Sequence, residues 1–136
     1  MAQQTFHVER FFQALGDTIR LRLLNLMGDR EICVCYFVEI LGGPQPKISR
    51  HLAYLRRAGI VAARREGKWM HYRIVMPPHV GATQILKQTL LWLKEDSAMQ
   101  ADRARLTNAC CSPAKPPILQ GAPLPATIQE TSCEAC

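Results

Sequence analysis

No apolar run in this 136-residue chain approaches the length needed to cross a bilayer. The N-terminus carries no signal-peptide pattern either, so a soluble, cytoplasmic protein without a membrane partner is expected. A Gly-rich phosphate loop and a Ser/His/Asp constellation are both missing. The single C-x-x-C, Cys133 to Cys136, lies in the C-terminal tail rather than at the start of a βαβ helix. An enzyme with a catalytic cofactor is therefore not expected. Without a second C-x-x-C no zinc-finger knot can form, and the four histidines (His7, His51, His71 and His79) are scattered. The last scarcity is local. Between Lys47 and Arg73 a single acid, Glu66, stands against eight Lys or Arg, so this window carries +7 of a net +6 and the rest of the chain sums to −1. A basic patch confined to one segment is the electrostatic footprint of a polyanion.

The residues present give that patch a shape. Pro44 to Gly59 reads as a helix with Ile48, Leu52, Leu55 and Ala58 on an apolar back. Gln45, Lys47, Ser49, Arg50 and His51 lie on its front, and these residue types donate hydrogen bonds to phosphates and base edges. Pro46 suits the first turn, and Gly59 suits a left-handed end. A surface helix with solvated charges would share this composition; the flanking segments favour DNA recognition. Helices are expected over Thr5–Leu15, with Val8, Phe11, Phe12 and Leu15 on one face, from Thr18 to about Met27 behind the N-cap Asp17, with Arg20 and Arg22 facing outward, and over Cys33–Leu41. The last of these and the basic helix, joined by Gly42-Gly43-Pro44, make a helix-turn-helix. Ile60 to Val75 changes to period two around Glu66-Gly67, as in a hairpin. Arg64, Arg65 and Lys68 at its tip would grip phosphates or the minor groove as a wing. Val80 to about Leu106 reads as one long helix, apolar over more than one face. Together with the first helix it is expected to form a homodimer interface; the alternative is a last helix that folds back on its own core. The fold class is thus mainly α with a small β-hairpin (α+β). Residues 1–107 form a winged helix-turn-helix DNA-binding and dimerisation domain, and 108–136 form a Pro- and Cys-containing flexible tail.

Several segments resemble one family. Leu15-Gly16-Asp17-Thr18-Ile19-Arg20-Leu21-Arg22-Leu23-Leu24 resembles the start of the second helix in the ArsR/SmtB winged-helix repressors. Gln45-Pro46-Lys47-Ile48-Ser49-Arg50-His51-Leu52, followed by Leu55 and Ala58-Gly59-Ile60-Val61, resembles the family's recognition helix and first wing strand. Glu31-Ile32-Cys33-Val34-Cys35 is similar to the arsenic-sensing signature of the ArsR branch. The resemblance covers roughly residues 8 to 95. It implies a dimeric repressor that binds operator DNA and releases it when trivalent arsenic, or antimony, binds.

Thiolates are soft donors and select such soft ions. On a regular helix Cys33 and Cys35, two residues apart, would point to different sides. Both could hold one ion only if the helix start distorts, and that distortion would carry the signal to the adjacent recognition helix. The chain departs from the branch pattern at Val38, where the third cysteine of the signature would fall. Two solutions stay open. The site uses two thiolates, which suits an organoarsenical such as methylarsenite, or a third sulfur comes from elsewhere. Cys110 and Cys111 come next in rank, and Cys133 and Cys136 last. A thiol redox or persulfide sensor on the same fold is the alternative chemistry.

Overall fold

Two of the helices start where an aspartate side chain accepts from a backbone N–H. The computed structural model describes residues 6–125. Helix α1 (Val8–Leu15) ends at Gly16; α2 (Thr18–Met27) begins where the Asp17 carboxylate accepts from the Arg20 N–H at 3.1 Å. Then come α3 (Val34–Leu41) and α4 (Gln45–Arg57), joined through Gly42 and Gly43, whose φ of 75° and 86° need glycine. Ile48, Leu52 and Leu55 bury the back of α4, as expected. This is a helix-turn-helix. Strands β2 (Val61–Glu66) and β3 (Trp69–Ile74) form the expected hairpin, with Glu66 opposite Trp69 across the turn.

Four expectations need correction. Cys33 does not open a helix: Ile32–Cys33 form a short strand, β1, antiparallel to β3 with Cys33 opposite His71. The sheet therefore has three strands in the order β1-β3-β2. Two residues carry no periodicity, so sequence pattern could not reveal β1. The long final helix is two. Helix α5 (Val80–Glu95) stops at Asp96, which is extended and uses its side chain to accept from the Met99 N–H at 3.0 Å, starting α6 (Ser97–Cys111). Arg22, expected to face outward, instead reaches α6 and makes a two-pronged bond to the buried Asp102 at 2.7 and 2.9 Å. Finally, residues 108–125 are not a flexible tail. Helix α6 runs to Cys111, the Lys115 ammonium caps its end by donating to the Ala109 and Cys110 carbonyls, and Leu119 is fully buried beside α3. Cys133 and Cys136 lie outside the described residues.

The core gathers Phe11, Leu23, Leu24, Phe37, Leu52, Leu55 and Ile60. Part of the apolar surface stays outside it. Val8 and Phe12 on α1, and Val80, Leu91 and Trp92 on α5, are more than half exposed. On α1, Phe11 and Ala14 are the buried positions. The ring of Phe6 lies 5.0 Å from that of His79, so the starts of α1 and α5 are neighbours.

Candidate functional site

Two adjacent assemblies carry the chemistry: a pair of sulfurs, and the surface formed by α4 with the hairpin. Cys33 is the residue before α3, with φ −66° and ψ 141°, and Cys35 is in the first turn of that helix. An extended residue followed by a helical one turns the two side chains to the same side. The expected geometric conflict therefore does not arise. The Cys35 S–H donates to the Cys33 sulfur at 2.8 Å, and both residues are buried. That donated proton pulls the Cys33 pKa down from the usual thiol value to about 7, against the opposing effect of burial; the backbone N–H groups of Cys35 and Met70 also favour the thiolate. The Cys35 thiol is pushed up, because its proton is held by the Cys33 sulfur and because it is buried. At neutral pH the pair therefore approaches one thiolate and one thiol sharing a proton, a soft bidentate donor ready for a soft cation.

Among the described residues no third donor is brought to this pair. Among the described residues no group of three or more His, Cys, Asp or Glu is placed to hold a metal ion. Val38 occupies the third signature position and is half-buried. Cys110 is buried in α6 and Cys111 half-buried beside it, away from any such group. His71 faces Cys33 across the strands, but its Nε2 lies 3.2 Å from Glu66 Oε1, at the wing tip.

On the second assembly, Gln45, Lys47 and Arg50 are exposed along α4, with Ser49 half-buried between them. His51 does not project with them. Its Nδ1 stands 3.4 Å from the Arg20 guanidinium and 3.8 Å from Asp17, packed back on the start of α2. At the tip, Arg65 and Lys68 are exposed; Arg65 donates to the Gly67 carbonyl and Lys68 lies 4.8 Å over the Trp69 ring. Arg64 is engaged differently. It donates to Glu31 at 2.6 and 3.0 Å and lies 3.6 Å from Glu66, while Arg73 lies 3.9 Å from Glu31. These bonds hold the Glu31 carboxyl below its ordinary value, Arg64 contributing most.

Glu31 ties the segment before the sulfur pair to the wing. Its position two residues before Cys33 is visible in the sequence, but its partner is 33 residues away across the sheet. The result is that the sulfur pair touches both arms of the surface. Cys33 belongs to β1, bonded to the wing; Cys35 belongs to α3, one turn from α4.

Comparison with known proteins agrees with this geometry. Residues 17–63 match the profile described as bacterial regulatory protein, arsR family. The chain is 38% identical over 104 residues to the arsenical resistance operon repressor of Escherichia coli, covering 76% of this chain and 87% of that protein. It is 40% identical over 96 residues to the arsenic resistance transcriptional regulator ArsR1 of Pseudomonas putida, covering 67% and 75%. Among solved structures it is similar to HlyU from Vibrio cholerae, with a TM-score of 0.51 and 26% identity over 59% of this chain and 84% of that one.

Proposed function

This chain belongs to the arsR family of bacterial regulatory proteins, and from that premise we propose that it is a metalloid-responsive transcriptional repressor using Cys33 and Cys35 as its sensor. Of the relatives above, that of Escherichia coli is a repressor and that of Pseudomonas putida a transcriptional regulator, and the chain is not an enzyme. The observation that carries the reading is the Cys35–Cys33 contact at 2.8 Å, placed where the wing sheet joins the helix-turn-helix. Gln45, Lys47, Ser49 and Arg50 read the major groove, and Arg65 and Lys68 grip phosphates beside it. Arg64 contributes less, being held by Glu31, and His51 supports α4 from behind.

The ligand is trivalent arsenic, with trivalent antimony sharing its softness. Two sulfurs bonded to one such ion are held at a fixed separation, roughly 3.3 Å or more for metal–sulfur bonds of about 2.3 Å. Because Cys33 sits in β1 and Cys35 in α3, fixing that separation sets the wing sheet against the helix-turn-helix. The switch is thus a fixing of the distance between two arms rather than strain inside one helix. Binding also displaces the proton held between the sulfurs. With two donors present, a methylarsenite, which offers one position fewer than arsenite, fits the described site.

A homodimer completes the reading. Val8, Phe12, Leu91 and Trp92 expose apolar area on neighbouring helices α1 and α5, and a second copy covers it. Two recognition helices about one helical turn apart then meet a palindromic operator.

The test is operator binding by fluorescence anisotropy, with arsenite and methylarsenite titrated in. Wild-type protein should bind and be released; Cys33→Ser and Cys35→Ser should bind and stay bound. Release of those two variants at the wild-type inducer concentration would exclude this pair as the sensor.

A further inference from the structure

The exposed front of α4 does not stop at Arg50. Ala53 and then Arg57 follow on the same helical face, three or four residues apart, and Arg56 stands beside them. There the helix meets β2 and α1. A cleft of about 710 Å³ opens between them, walled by Arg56 and Arg57 on α4, by Ala62 and Ala63 on β2, and by His7 and Arg10 at the start of α1. None of the ion pairs among the described residues involves Arg10, Arg56 or Arg57. These three face one another's charge across an open groove with no acid in its walls. Like charges gathered without a counter-ion cost free energy unless an anion binds there. The small side chains of Ala53, Ala62 and Ala63 leave the floor open to something bulky.

We infer that this cleft is a phosphate-binding seat for the backbone of duplex DNA, extending the contact surface beyond the recognition face and the wing tip. It rests on the operator-binding reading above, and it commits to DNA because of where it lies. One end continues the reading face of α4, and the other continues along β2 to Arg64 and the wing tip. A strand leaving the major groove beside α4 passes between those two arms. Guanidinium forks suit phosphate oxygens, and such contacts add affinity and register without reading sequence.

The experiment measures operator affinity as a function of salt. Each phosphate contact contributes about 0.9 to the slope of log K against log salt. The Arg10→Ala/Arg56→Ala/Arg57→Ala variant should therefore show a slope shallower by about 2.7 per chain bound. Its ratio of operator to random-duplex affinity should stay within about threefold of wild type, because the lost contacts are backbone contacts. The Arg→Lys version at the same positions keeps the charge and should retain the wild-type slope. If the alanine variant fails to melt cooperatively, Arg10→Gln alone gives the reading, with a slope shallower by about 0.9 per chain. An unchanged slope in the folded variant overturns the phosphate seat while leaving the repressor reading intact. Loss of sequence preference with an unchanged slope overturns it as well. Failure of the wild-type chain to bind any duplex overturns both.

Discussion

Replacing Cys35 with Ala should raise the pKa of Cys33 and thereby blunt its capture of a soft cation at neutral pH. The S–H of Cys35 donates to the Cys33 sulfur at 2.8 Å and is the largest cause of a thiol pKa lowered from 9.0 to about 7. With that donor present the Cys33 thiolate is populated near neutral pH; without it the neutral thiol dominates there. Burial works in the same direction once the donor is gone, since Cys33 has no exposed surface and desolvation disfavours the charge. Cys35→Ser is the matched control, because a hydroxyl can still donate. The assay is thiolate absorbance near the far-ultraviolet edge against pH, in a background where Cys110, Cys111, Cys133 and Cys136 are Ser. The expected order of Cys33 pKa is wild type lowest, Ser intermediate and Ala highest. If Cys35→Ala titrates at the wild-type pH, the neighbouring thiol does not hold the charge, and the account of a proton shared between the sulfurs fails.

Two further perturbations probe the frame around the site. Asp102 is almost wholly buried, and Arg22 and Arg105 both donate to it. Its removal as Asp102→Ala takes away the charge-assisted bond from Arg22 and should cost about 2 kcal/mol in urea unfolding; a cost below about 1 kcal/mol would show that α6 is not anchored there. Burial by itself would raise the Asp102 carboxyl, but the bonds from Arg22 and Arg105 outweigh it and the pKa is lowered. The clamp's contribution is therefore present above the unfolded carboxylate value of about 4 and drains as pH falls through the lower folded value. Melting curves of wild type and Asp102→Asn should converge in that acid range; parallel curves down to the acid limit would contradict the assignment. On the outer face, Trp92 is 75% exposed on α5, and Trp92→Glu should shift sedimentation from dimer to monomer and weaken operator binding in parallel. A variant that remains dimeric places the subunit contact elsewhere.

The parts of this molecule that could be read along the chain are those where neighbours in sequence are neighbours in space. The apolar stripe Ile48, Leu52, Leu55 made α4 legible because helical period brings those residues to one side. Glu66-Gly67 marked the wing turn because glycine relieves its positive φ of 59°. The residues Cys33 and Cys35 stood out as soft donors through their chemical type alone. Their meeting did not, because it depends on whether Cys33 is extended or helical, and that is settled by its pairing with β3, 38 residues downstream.

Long-range contact decided the remainder. His51 looked like a base reader until Arg20 and Asp17 drew it inward. Arg22 looked like a solvated charge until Asp102, 80 residues on, claimed it. Arg64 seemed free until Glu31 reached it, and Arg56, Arg57 and Arg10 passed unremarked because their common groove is built from three separate elements. Residue type and periodicity set out helices, turn and thiols, since those follow from local sterics and intrinsic chemistry. Partnership between charges, and the joining of a sulfur pair to both DNA-facing arms, required the folded chain, because a charged side chain takes whichever counter-charge or carbonyl the packing delivers.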